Sequence, residues 1–178
     1  CIEVNEDDIV YASANWTDYI DEGVSFSEIC YVPGNPDITY IPDDNFEQAL
    51  ISQDLDEILD DYVLTATISG VTILDVNNNE ISDLTGIEDF TALNHLDARI
   101  NQLTSLNVSS NTALITLRCE NNELTSLDVS SNLDLTNLQC HDNQFTSLDV
   151  SSNTAITDLD CSNNQLISLD VNGVTALT

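Results

Sequence analysis

The sequence predicts a right-handed curved solenoid of short stacked coils. A parallel β-sheet lines its concave face, short extended or 3-10 segments its convex face, and a small helical cap its N-terminal end. Three observations predict it. From Leu93 onward the chain repeats every 21 residues, a period that marks stacked supersecondary units. The apolar residues fall in the same columns of each unit, so each coil has an inward stripe that only its neighbours can bury. Asparagine also recurs in fixed columns, where a coil must turn and its peptide groups need partners.

The repeat units are Leu93 to Ala113 (LNHLDARINQLTSLNVSSNTA), Leu114 to Asp134 (LITLRCENNELTSLDVSSNLD), Leu135 to Ala155 (LTNLQCHDNQFTSLDVSSNTA) and Ile156 to Ala176 (ITDLDCSNNQLISLDVNGVTA). A divergent 22-residue unit, Val71 to Ala92, precedes them. Leu96, Leu117, Leu138 and Leu159 form one column. Leu103, Leu124, Phe145 and Leu166 form another, followed by Leu106, Leu127, Leu148 and Leu169, then by Val108, Val129, Val150 and Val171. The pattern L-x-x-L-x-L/C-x-x-N-x-L is that of a leucine-rich repeat.

Cys119, Cys140 and Cys161 hold an inward strand position, in phase with Val76 and Ala98. Free cysteine packs as a small hydrophobe. Stacking sets neighbouring strands about 4.8 Å apart, but parallel side chains point the same way and three cysteines cannot all pair. A reduced structural ladder is expected, with one disulfide inside it as the alternative. Asn79, Asn101, Asn122, Asn143 and Asn164 form a polar ladder three residues further on, where an inward amide can bond the backbone of two turns. Asn111, Asn132 and Asn153 do the same at the return turn, a column that ends at Val174.

Ahead of the repeats, residues 40–70 are expected to be the helical cap. Pro42 opens a helix with Asp43 and Asp44 in its first turn, and Phe46, Ala49 and Leu50 share a face. Asp54 to Leu64 is expected to form a second short helix around Leu55, Ile58, Leu59, Tyr62 and Val63. Its run DLDEILDD lacks the spacing and glycine of a calcium loop. Residues 33–39, with two prolines and a glycine across Tyr31 to Thr39, read as a linker. Residues 1–32 are separate, with Trp16, Tyr19 and Phe26 as packing candidates. Cys1 and Cys30 lie outside the ladder's register and form the candidate disulfide of an oxidising compartment. The five repeats occupy 71–176 (71–92, 93–113, 114–134, 135–155 and 156–176), and 177–178 open another. The chain contains no methionine and starts at Cys1, so it reads as a piece of a longer protein whose signal peptide would lie upstream.

Composition narrows the function. There are 32 acidic residues against two basic ones, Arg99 and Arg118, for a formal charge of -30. Such a field repels nucleic acid and anionic membranes and attracts cations. No apolar run is long enough for a membrane span. Asn107-Val108-Ser109 and Asn15-Trp16-Thr17 match the glycosylation pattern, and neither is expected to be modified.

The strand positions that face outward on the concave side are the candidate binding set. They are His95, Asp97 and Arg99; Thr116, Arg118 and Glu120; Asn137, Gln139 and His141; Asp158, Asp160 and Ser162. They vary from unit to unit against a nearly copied background, and they collect both arginines and both histidines. A mixed polar face of this kind suits a protein or glycan partner. No nucleophile stands beside a base in a strained turn, so no enzyme is expected. No cofactor is expected either, beyond weakly bound calcium or other cations at the outward column Asp128, Asp149 and Asp170, whose like charges lie one above another.

The four units, LxxLxCxxNxLTSLDVSSN, resemble the 21-residue cysteine-laddered repeats of bacterial surface proteins of the internalin J type. They also resemble the leucine-rich modules of large secreted proteins of the Flavobacteria and their relatives. YIPDDNFEQAL and YVLTATISGVTILDV are similar to the start of such modules, and residues 1–32 to the segment that closes one. The resemblance implies a secreted or cell-surface, non-catalytic adhesion module recognising a protein or glycan. Its alternative is a structural spacer that contacts neighbouring modules of the same protein. Ala98 and Val76 depart from the cysteine pattern, leaving the ladder incomplete on its N-terminal side.

Overall fold

The computed structural model describes residues 38–177. The Cys1–Cys30 pair, the closing segment 1–32 with its packing candidates and Asn15, and the linker up to residue 37 lie outside them.

The cap begins with β1 (Ile38–Tyr40), which pairs antiparallel with β2 (Tyr62–Leu64). Between them runs α1 (Asp44–Ile51). Asp43 caps this helix, its Oδ1 accepting from the N–H groups of Asn45 and Phe46 at 3.0 and 3.1 Å. This satisfies donors that a helix start otherwise orphans. Its other oxygen accepts from the Ser82 N–H, the Ser82 hydroxyl and the Asp83 N–H at 2.8, 2.7 and 3.0 Å. Partial burial works against the charge of Asp43, yet the Ser82, Phe46 and Asp83 donors outweigh it and hold the carboxyl below its ordinary value. One side chain thus starts the helix and ties it to the first coil. Gly86 closes the same junction at φ +101°, where an added Cβ would meet Ile41 Cδ1 and lie 2.8 Å from the Tyr40 carbonyl.

Asp54 to Leu64 is not a second helix. It is a loop that runs into β2, with Ile58 and Leu59 half-exposed and Val63 buried. The cause is Glu47, fully buried in α1. Its carboxylate accepts from the N–H groups of Asp60, Asp61 and Tyr62 at 2.9, 3.0 and 3.1 Å. Those donors are lost to any helix, and Asp54 and Asp61 turn left-handed at φ 58° and 68°. The extra helical turn lies later, at α2 (Thr65–Ile68), which buries Ile68.

Burial raises the Glu47 carboxyl above its ordinary 4.5, against the Asp60 and Asp61 N–H groups and with help from the charges of Asp56 and Asp60. Burial also raises Asp56 and Asp60 above 3.8. A carboxyl raised by folding binds its proton more tightly in the folded chain, so stability falls as pH rises through the folded value. The melting temperature is therefore expected to climb as pH is lowered from neutral toward the ordinary carboxyl values of 4.5 and 3.8. The Glu47→Gln chain should show a flatter slope over that range. A wild-type melt that is level or falls on acidification contradicts this.

The solenoid follows. β3 (Ile73–Asp75), β4 (His95–Asp97), β5 (Thr116–Arg118), β6 (Asn137–Gln139) and β8 (Asp158–Asp160) form one parallel sheet in that order. Leu74, Leu96, Leu117, Leu138 and Leu159 stand in register as its inward column. Across the core, β7 (Ser147–Asp149) pairs with β9 (Ser168–Asp170), and an Asn107–Asp128 bridge lies two coils back. A 3-10 turn, Ile87–Asp89, fills that side of the first coil. Val76, Ala98, Cys119 and Cys140 are fully buried; Cys161, in the last coil, is only partly so, and all three ladder thiols are free.

Asparagine joins the coils. Asn122 donates to the carbonyls of Ala98 and Cys119 at 3.0 and 3.1 Å, and its Oδ1 accepts from the Leu103 N–H at 2.9 Å. Asn143 repeats this with Cys119, Cys140 and Leu124, and Asn164 with Cys140, Cys161 and Phe145. Asn101 bonds Val76, Ala98 and Ile81 likewise. Asn79 heads the column and differs: it is exposed, and its amide donates to the Asn77 carbonyl. On the return side Asn111, Asn132 and Asn153 are fully buried, each donating to two carbonyls, Asn132 and Asn153 to those of Val108 and Asn111 and of Val129 and Asn132.

Each coil leaves the concave sheet through one left-handed residue: Asn78, Ile100, Asn121, Asp142 and Asn163, at φ 55°, 54°, 57°, 52° and 53°. Asn and Asp tolerate that region. A β-branched side chain does not, and the conformation costs roughly 1–2 kcal/mol at Ile100.

Candidate binding face

Side chains alternate across a strand, so with Leu96, Leu117, Leu138 and Leu159 inward, their flanking residues line the concave face. The face divides into two halves. Over β4 and β5 it carries a closed ion cluster. Arg118 reaches Asp97 at 3.3 Å and Glu120 at 2.7 Å, while Arg99 lies 3.4 Å from Asp97 and 3.9 Å from Glu120. Asp97 is only 6% exposed and Glu120 3%. Burial raises the Asp97 carboxyl, offset in part by the Arg99 N–H and by both guanidinium charges.

The long arginines therefore fold over the shorter carboxylates, and Asp97 and Glu120 are not the exposed surface that alternation alone implies. Register carried the signal that would have found this. Asp97 stands directly opposite Arg118 across the β4–β5 pair, and opposite charges so placed attract.

Over β6 and β8 the face is open and polar. Asn137 donates to Asp158 at 2.9 Å, and Gln139 donates to Asn137 at 3.3 Å. His141 lies 3.5 Å from Asp160 through Nδ1 and 3.8 Å from Asp142 through Nε2. The Ser162 hydroxyl and N–H donate to Asp160 and, with the nearby His141, hold its carboxyl below the ordinary value. Asp158 and Ser162 are exposed, and His95, Thr116 and Asn137 are half-buried.

The chemistry of this face is that of hydrogen bonding and charge. The Ser162 hydroxyl donates to the Asp160 carboxylate two residues before it. Burial pushes the Cys119, Cys140 and Cys161 thiols up, away from thiolate formation. Among the described residues, no three metal-ligating side chains come together.

Asp128, Asp149 and Asp170 have a local role. Each accepts the N–H two residues on, from Ser130, Ser151 and Asn172 at 2.9 Å, and Asn107 does the same for Ser109 at 3.1 Å. Hydrogen bonds from Ser130 and Ser151 hold the Asp128 and Asp149 carboxyls below their ordinary values. They are thus ionised one above another at neutral pH, Asp149 directly opposite Asp170. Raising sodium chloride from about 10 mM to about 0.5 M should screen this repulsion and raise the melting temperature, with a further small rise in calcium. Equal melts in all three conditions contradict it.

A short cap, a five-stranded concave parallel sheet and an asparagine-bonded column of coils define a leucine-rich repeat domain. Residues 41–164 match the model of the endo-beta-N-acetylglucosaminidase EndoS LRR domain, and the chain belongs to that family. It is also similar to internalin J of Listeria monocytogenes serotype 4b (strain F2365), 40% identical over 77 residues that make up 41% of this chain and 8% of internalin J. The solved functional domain of internalin J from Listeria monocytogenes, which includes a cysteine ladder, superposes with a TM-score of 0.74 at 38% identity, covering 79% of this chain and 32% of that one. An internalin, inlF, from the same species shares the fold, with a TM-score of 0.60 at 20% identity over 78% of this chain and 48% of that one. The chain thus spans under a tenth of internalin J and about a third of its solved domain. The likeness to internalin J repeats read from the sequence is shown by these matches. Among the described residues, no helix is long and apolar enough to cross a membrane.

Proposed function

We propose that this domain is a non-catalytic, extracellular recognition module that binds a protein or glycan through its concave sheet. The observation that carries the reading is the contrast within each coil. The inward leucine and valine columns and the asparagine column Asn101, Asn122, Asn143 and Asn164 recur nearly unchanged in the four 21-residue coils, while the concave positions change in size, charge and hydrogen-bonding character. The likeness to a functional domain of a bacterial internalin supports the same reading.

The test is binding of the purified chain to a panel of glycans, matrix proteins and cell surfaces, with and without calcium. A Thr116→Ala, Asn137→Ala, Asp158→Ala variant runs beside it. These three side chains lie on the face outside the ion cluster, so the variant should melt like the wild type. Binding that disappears in the variant places recognition on the concave sheet. Absence of binding across the panel, or binding indifferent to the variant, favours a spacer that contacts neighbouring modules of its own protein.

A further inference from the structure

We propose that Ile100 is the anchor of the concave binding surface, seating an apolar side chain of a protein segment that carries a basic group toward Asp142. This rests on the recognition reading above and names the partner's chemistry. Ile100 is the only β-branched residue in the left-handed region among the described residues, at φ 54°. The four equivalent positions of the other coils hold Asn78, Asn121, Asp142 and Asn163, side chains that suit the conformation. Strained backbone of this kind persists where something else selects the residue.

Burial supplies little of that selection, because the side chain is 49% exposed. Ile100 therefore puts an aliphatic group into solvent at the rim of the face, immediately after Arg99 and beside the ion cluster. Its N–H is fixed to the Glu120 carbonyl at 3.0 Å, so the group is held in place. An aliphatic anchor next to self-neutralised charges suits a protein side chain better than a sugar, which stacks on aromatic rings.

Charge sets the second feature. Asp142 occupies the same rim column two coils on, roughly 10 Å away at two strand spacings. It is exposed, neither arginine reaches it, and its one basic neighbour among the described residues is His141 at 3.8 Å. With Asp158 and Asp160 nearby on a chain of formal charge -30, that end of the rim favours a lysine or arginine.

A phage-displayed random peptide library selected on the purified full chain provides the probe. Enriched peptides are expected to pair an apolar residue with a basic one. Their affinity should drop at least tenfold for Ile100→Asn, drop for Asp142→Asn, and weaken with salt. Ile100→Asn should also melt about 2–4 °C higher than wild type, because asparagine relieves the left-handed strain. A lower melting temperature for Ile100→Asn would show that the half-buried side chain offsets its own strain within the chain, and would overturn the inference. Peptides that bind Ile100→Asn as well as wild type but lose the Thr116, Asn137, Asp158 variant would overturn it too, while leaving concave recognition standing. If no peptide depends on either variant, both readings fail.

Discussion

Asn122→Ala is expected to destabilise the folded chain by about 2–3 kcal/mol, because one buried N–H loses its partner, at a cost of about 1–3 kcal/mol, and two buried carbonyls each lose one of their two asparagine donors. The groups are the Leu103 N–H and the carbonyls of Ala98 and Cys119. They belong to two adjacent coils, 93–113 and 114–134, so the loss weakens the junction between them. In a domain of this size the melting temperature should fall on the order of 10 °C. Asn79→Ala is the internal comparison. That side chain is exposed and serves its own turn alone, so its loss should cost under about 0.5 kcal/mol. Urea denaturation of both variants reads the difference. Equal, small effects would mean that the asparagine column follows the coil rather than holding it.

Arg118→Ala is expected to cost about 1.5–3 kcal/mol, less than a fully buried pair because Arg118 is itself 31% exposed. The cost comes from what stays behind. Asp97 and Glu120 remain buried with only Arg99, at 3.4 and 3.9 Å. Removing the buried charge first should therefore remove most of the penalty. In a Glu120→Gln background, Arg118→Ala should cost under about 1 kcal/mol. The same cost in both backgrounds would show that the guanidinium acts by packing over the sheet. Arginine substitutions on this face mix stability with binding, so a variant that removes Arg99 and Arg118 is a poor test of recognition.

The parts of the fold legible in the sequence were those that every coil demands again. Leu96, Leu117, Leu138 and Leu159 announce one inward column, and Asn101, Asn122, Asn143 and Asn164 one bonding requirement, each restated at the period. Asp54 to Leu64 had no second copy to check against. Leu55, Ile58, Leu59 and Tyr62 mimic a helical stripe, while the residue that decides the segment, Glu47, lies 13 to 15 residues upstream of the donors it holds. A fully buried glutamate is rare enough that composition argues against it.

On the binding face, alternation gave the twelve positions but not their depth. Whether Asp97 and Glu120 are covered depends on how far the arginines of neighbouring strands reach, which is a matter of side-chain geometry between coils. Ile100 was visible only by contrast, as the one residue in its column that does not favour the turn it makes.

The ion cluster has a consequence for how the domain meets proteases. Only two peptide bonds in the 178-residue chain follow a basic side chain, Arg99–Ile100 and Arg118–Cys119. The carbonyl of Arg99 accepts from the Asn78 N–H at 3.0 Å and that of Arg118 from the Ala98 N–H at 2.8 Å, while both side chains are held by Asp97 and Glu120. A trypsin-like enzyme must pull a whole turn off the stack to cut either bond. The described domain is therefore armoured against that class of protease while folded, and a tryptic cut is a direct readout of the stack coming apart.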